Sequence, residues 1–352
     1  MTNETLTGDT FVGQNEAIKM LETWRVHTDT QALLFSGPEG VGKRTLAKQV
    51  AAGLLCQEAG TSLYACGHCH ACVLMEAGTH PDFHHLAVEG KERNIPIDRV
   101  RKELIADIGL RPQRGKRKVY LIEADDLQES AQNAILKTLE EPFEYAFILL
   151  TVRMASNLLP TTLSRLLDVR LTSYDEAEMR AILAGQGIVD EAILQAILPV
   201  AGGIPGTAMT LAQSDWFTEL RTVVFSQLAN IASVSRASLL TDSVKSLLAF
   251  RDQADMLFDL MEAWLRDLLI LLMTENRKQL LHKDQEAYYV GAVSRLRNRS
   301  RGTDERAIIT VSCQAVYVAI DAVIESRRAL VQNTNAEITF TRLLLILYKQ
   351  LK

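Results

Sequence analysis

The stretch Gly37-Pro38-Glu39-Gly40-Val41-Gly42-Lys43 constrains the fold of this chain more than any other. It follows an apolar run, Ala32 to Phe35, and precedes a helical pattern, the setting in which glycines turn backbone amides inward around phosphate oxygens. The helix start behind it adds its dipole, and Lys43 can reach the outer phosphates. A strand that feeds such a loop and helix belongs to a parallel sheet wrapped by helices. Gly37, Gly40, Gly42 and Lys43 form the candidate cradle, with Arg44 and Thr45 opening the helix.

Further apolar runs fit that sheet: Phe83 to Val88, Val119 to Ile122, Ala146 to Thr151 and Asp168 to Leu171, alternating with helical stretches. After Leu171 the strands stop. Ser173 and Glu176 have capping-box spacing for a helix to about Ala184, a second helix runs Glu191 to Leu198 and ends at Pro199, and a third spans about 207–213. From Trp216 onward the pattern is helical, and Leu257, Leu260, Met261, Trp264, Leu265 and Leu268 make one apolar stripe. The expected organisation is an α/β domain over 1–171, a small helical lid over 172–213 and a helical domain over 214–352. No repeat or low-complexity tract interrupts it.

Lys and Arg number 38 against 43 Asp and Glu, a net charge of −5 that draws no nucleic acid by its overall field. The basic runs Arg111–Lys118 and Arg295–Arg301 are read as solvated loops. The apolar run Leu268–Met273 is far short of a membrane span, and residues 1–10 lack a secretory pattern, so a cytoplasmic protein without a membrane segment is expected.

The cradle lacks parts that hydrolysis requires. The residue after its Lys should carry a hydroxyl for magnesium, and it is Arg44; Thr45 comes one place late, about 100° round the helix. The acidic strand end matches Val119-Tyr120-Leu121-Ile122-Glu123-Ala124-Asp125-Asp126. Glu123 stands at the metal position, and Ala124 stands where a carboxylate should orient water. Asp125 and Asp126 are weaker substitutes, because each added position redirects the side chain.

Cys56, Cys66, Cys69 and Cys72 form C-x9-C-x2-C-x2-C, a spacing that lets four thiolates close on one structural zinc ion. His68 or His70 replacing one of the thiolates is the alternative. Cys313, alone in an apolar stretch, is a packing residue, and His80, His84 and His85 are turn or strand residues rather than ligands.

Several segments together resemble the AAA+ clamp-loader subunits of bacterial DNA polymerase III. They are Phe11-Val12-Gly13-Gln14, the stretch from Cys66 through Cys72 to Thr79-His80-Pro81-Asp82, Asn133 to Pro142, and Asn333-Thr334-Asn335 with the Leu-rich stretch after it. The resemblance implies a P-loop domain with a zinc module, a lid and a collar that oligomerises. It also implies partners: gamma/tau and delta subunits, and through the complex a sliding clamp and primer-template DNA. Ser164-Arg165-Leu166 is similar to the family's S-R-C motif, which makes Arg165 an arginine finger toward a neighbour's ATP site. Thr151 takes the sensor-1 position. Arg44, Ala124 and Gly206, the last where a lid arginine should fall, depart from the ATP-hydrolysing members. They imply a silent subunit of the polymerase holoenzyme, with ATP binding left open and a gamma/tau-type ATPase as the alternative.

Overall fold

In a computed structural model, residues 11–27, 30–90, 92–299 and 305–352 are described. Residues 1–10 and Arg301, used in the sequence reading, lie outside them. The chain divides into two compact units: residues up to Gln186 together with Gly203–Thr207, and Gly187–Gly202 together with Ala208–Lys352.

In the first unit α1 (Asn15–His27), β1 (Ala32–Ser36), α2 (Lys43–Leu55), α3 (His70–Glu76) and β2 (Phe83–Leu86) come first. A short helix, α4 (Ile97–Arg99), runs on into a π-helical turn, Val100–Ile105. After it come β3 (Lys118–Glu123), α5 (Glu129–Glu140), β4 (Ala146–Val152), α6 (Pro160–Leu163), β5 (Leu167–Arg170) and α7 (Glu176–Gly185). The strands pair in the order β2-β3-β4-β1-β5, all parallel. Strands β1 and β4 are buried throughout, as expected of strands covered on both faces. On one face Leu34, Tyr120, Ile122, Ile148 and Leu150 pack with Ile135 and Leu139 of α5.

The sheet register fixes the site. Glu123 at the end of β3 lies opposite Thr151 of β4, and Ser36 at the end of β1 lies opposite Val152 and Arg170. The C-terminal strand ends therefore meet where β1 runs into the glycine loop, the place where open parallel sheets bind ligands.

A half-buried carboxylate hub holds the start of β3. Asp107 accepts from Lys118 Nζ at 2.9 Å and from the Tyr120 hydroxyl at 2.6 Å, and His84 Nε2 stands 3.3 Å away, its ring stacked on Tyr120. Burial opposes the charge on Asp107, but Tyr120 and Lys118 hold its carboxyl below the ordinary value.

The predicted capping box is displaced. The α7 N-cap is Asp175, which accepts from Glu178 N while Glu178 accepts from Asp175 N. Ser173 and Glu176 have the right spacing, but Tyr174 lies outside the helix, its N–H donating to Gly203 O.

The second unit contains α8 (Glu191–Ala201) and, across its boundary, α9 (Pro205–Ala212). It continues with α10 (Asp215–Asn230), α11 (Arg236–Ser238), α12 (Val244–Leu248), α13 (Ala254–Thr274), α14 (Glu286–Arg299), α15 (Glu305–Val331) and α16 (Ala336–Leu351). Helix α8 does not end at Pro199 but runs two residues past it, to Ala201, with Gly202 closing it at φ 58°. Pro199 removes one backbone hydrogen bond, and the helix ends within two residues of it. The α13 stripe from Leu257 to Leu268 is fully buried and packs against α10 and α15. Asp267 is buried beside that stripe, accepting from Leu281 N, His282 N and Arg266.

Helix α15 departs from the sequence reading, because by length and composition it is apolar enough to cross a membrane. Here it packs against α13 and α16, and its Arg327 pairs with Asp259 and Glu262 of α13. Cys313 is buried on α15, as a packing residue should be.

Candidate functional site

The glycine loop has the backbone its sequence requires. Gly37, Gly40 and Gly42 lie at φ 147°, 77° and 103°, conformations that favour glycine. A Cβ on Gly37 would stand 2.4 Å from Leu171 O, so no side chain fits there. The N-terminal box reaches the loop: Phe11 faces Gly42, and the Gln14 side-chain amide donates to Thr172 O and accepts from Thr172 N just beyond β5.

Lys43 folds back over the loop. Its Nζ donates to Gly37 O at 2.7 Å and Pro38 O at 2.8 Å, and burial pushes its pKa down. Gly206, where the resemblance implies a lid arginine, lies against Gly40. Gly206 N donates to Gly40 O at 2.9 Å, and a Cβ on residue 206 would sit 2.7 Å from Gly40 Cα. Any side chain at 206 is excluded by this contact.

The acidic strand end is already occupied by nitrogen partners. Arg44 Nη1 and His85 Nε2 each lie 3.0 Å from the same oxygen, Glu123 Oε1. The His85 hydrogen bond above all, joined by Arg44 and opposed by burial, holds the Glu123 carboxyl down at about 2. Ala124 is buried and offers no polar atom. Asp125 is bound to Arg153 N, at 3.1 and 2.8 Å, and to Asn157 Nδ2 at 3.1 Å. Arg153 also reaches Glu39 of the loop at 3.2 Å. Burial, Glu123 and Asp125 raise the pKa of Asp126. This set does not fit magnesium: the hydroxyl position carries a guanidinium, and the carboxylate nearest it is taken. Thr45 lies one helix position on, half-buried. Thr151 is buried in β4 between Phe35 and Glu123 in register.

Arg165 follows α6 on the same unit. Its Nη2 pairs with Glu140 Oε1 at 2.7 Å at the end of α5, and its Nη1 donates to Thr161 O and Ser164 Oγ. A third of the side chain remains exposed.

The four cysteines converge as their spacing predicts. Cys56 Sγ lies 3.9 Å from Cys69 Sγ, Cys66 Sγ lies 3.9 Å from Cys72 Sγ, and Cys69 and Cys72 are 3.5 Å apart. Four sulfurs about 2.3 Å from one ion stand about 3.8 Å from one another, so the set fits a tetrahedral metal such as zinc. Backbone N–H groups of Cys66 and Cys69 point at Cys56 and Cys66 sulfurs. Burial raises the Cys69 thiol, yet N–H donors from Gln57 and Cys72 carry it down to about 6, ready to be a thiolate. His68 lies outside the four, 3.8 Å from Cys66 Sγ and 3.6 Å from Glu58, a second grouping able to hold an ion. The alternative His70 opens α3.

The basic runs serve the fold more than a ligand. Lys118 is buried on Asp107, Arg117 donates to Leu54 O, and the loop amides of Gln113 and Arg114 bind the fully buried Asp82. Arg295, Arg297 and Arg299 donate to carbonyls of Ala229, Leu272, Lys349 and Gln350. His80 accepts from Asp82 N in a turn, and His84 and His85 lie on β2, as predicted. Sequence reasoning missed that His85 reaches Glu123: the alternation along β2 sends neighbouring histidines to opposite faces, but only the β2–β3 register brings His85 to that carboxylate.

Residues 13–175 match the family model described as DNA polymerase III, delta subunit. Delta-prime of Pseudomonas aeruginosa is 42% identical over 51% of this chain and 55% of its own length, and delta-prime of Escherichia coli 33% identical over 56% and 59%. Tau/gamma of Haemophilus influenzae is 37% identical over 49% of this chain and 25% of its own length. The match thus spans little more than half the length of the delta-prime relatives. A solved gamma-subunit-related protein of DNA polymerase III from Thermotoga maritima is 17% identical over 94% of this chain and 99% of that one, at a TM-score of 0.40. Residues 13–175 are thus similar to the DNA polymerase III delta-subunit family, and delta-prime and tau/gamma subunits are among the similar proteins.

Proposed function

We propose that this chain acts as the delta-prime subunit of a replicative clamp loader, an AAA+ stator that hydrolyses no ATP itself and helps place a sliding clamp on primed DNA. The observation that carries this reading is the pairing of Glu123 with Arg44 and His85 beside the apolar Ala124. Glu123 is committed to those donors, and Ala124 puts no carboxylate where one would orient an attacking water. In this reading the α/β domain over 1–171, the lid over 172–213 and the collar over 214–352 assemble with gamma/tau and delta in the cytoplasm, and the four cysteines carry a structural zinc.

Arg165 then leaves Glu140 and enters the ATP site of a neighbouring gamma/tau subunit. A guanidinium at the transferred phosphoryl group is worth about 10³ to 10⁵ in rate. The test is DNA-dependent ATPase of a loader reconstituted with Arg165→Ala. Turnover at one site is expected to fall at least about 1,000-fold; unchanged turnover by an intact assembly rejects the role.

The similarity to tau/gamma sustains the ATPase alternative. Magnesium-dependent ATP turnover by the isolated chain, abolished by Lys43→Ala, would establish it in place of the stator.

A further inference from the structure

Where a P-loop works with magnesium, the metal links the hydroxyl after the loop lysine to the acidic residue at the end of a neighbouring strand. In this chain the same two positions touch directly: Arg44 at the start of α2 and Glu123 at the end of β3 meet at 3.0 Å. His85 from β2 donates to the same Glu123 oxygen, and Lys43 is turned back onto Gly37 O and Pro38 O. Thus two N–H donors, one of them a permanent guanidinium cation, already converge on the carboxylate atom that a divalent ion would need.

We infer that Arg44 is a built-in substitute for magnesium, a fixed cation that ties α2 to β3 through Glu123 and keeps divalent metal out. A bound metal comes and goes with its nucleotide, whereas a guanidinium on the chain cannot leave. The link between the loop helix and the β3 end then forms without a bound nucleotide or metal. A divalent ion would have to displace Arg44 and His85 from Glu123 while approaching a second positive charge, which is unfavourable twice over. This deepens the stator reading and rests on it: the unit is locked where an ATPase would switch.

The test uses the full zinc-loaded chain and Mn²⁺ alone as the probe, with bound ion read from loss of the free Mn²⁺ spin-resonance signal. Manganese prefers carboxylate and water ligands to thiolates, so the cysteine site does not compete. Wild type is expected to bind Mn²⁺ only weakly at the acidic strand end. Arg44→Thr, which restores the hydroxyl, should bind one ion at least tenfold more tightly, and Arg44→Thr combined with Glu123→Gln should lose it again. Arg44→Ser repeats the test should the threonine variant misfold, as circular dichroism would reveal. Wild type binding Mn²⁺ as well as Arg44→Thr, or folded Arg44→Thr and Arg44→Ser both failing to bind, overturns the inference. Neither result bears on Arg165, and a failed Arg165→Ala experiment leaves this one standing.

Discussion

Replacing Asp107 by Ala tests the hub that anchors β3, the strand that delivers Glu123 to the site. Asp107 holds Lys118, whose side chain is only 2% exposed, at 2.9 Å, and the fully buried Tyr120 through its hydroxyl at 2.6 Å. Removing the carboxylate strands a buried ammonium, which costs about 3–5 kcal/mol, and a hydrogen bond to a charged group, about 1.5–3 kcal/mol. The two overlap, and Asp107 itself is 24% exposed, so the lower end applies: about 3 kcal/mol. For a unit of this size that lowers the melting temperature by about 6–12 °C. Urea unfolding gives the free energy, and hydrogen exchange at the amides of Lys118–Glu123 reads the α/β unit by itself. The pH dependence has a definite sign. A carboxyl held below its unfolded value contributes fully above that value, about 3.9, and the contribution fades as pH falls through the folded value. The wild-type advantage over Asp107→Ala should therefore be complete above about pH 5 and shrink below about pH 4. A loss under about 1 kcal/mol at neutral pH, or an advantage that persists in acid, would refute the reasoning.

Two further substitutions probe the cysteine module. Gly53→Ala should destabilise by about 1–3 kcal/mol in chemical denaturation, although alanine is the better helix former, because its Cβ would lie 2.1 Å from Leu63 O; a more stable variant would show that the loop carrying the cysteines moves aside. Elemental analysis of the purified full chain should find one zinc per molecule, none in Cys72→Ser and an unchanged amount in Cys313→Ser; metal retained by Cys72→Ser would remove Cys72 from the ligand set.

What could be read from the sequence was whatever depends on near neighbours. The loop glycines, the five strands, the α13 stripe and the converging cysteines follow from spacing, because strand alternation, helical periodicity and C-x2-C geometry act within a few residues. Alanine at 124 and arginine at 44 were likewise visible as missing chemistry. Misplaced features were those where local patterns tie: Ser173 and Asp175 each have an acidic residue three places on, and the reciprocal capping bonds form at Asp175 and Glu178.

Only the tertiary structure decided what fills the defective positions. Arg44 meets Glu123 across 79 residues, His85 meets it across 38, and Gly206 presses on Gly40 from the start of α9. Such pairings depend on strand order and register, which bring remote side chains together only after the sheet has closed. A sequence lists the charges along the chain, whereas which carboxylate remains free is a property of packing, since burial and the nearest donors fix where each charge rests.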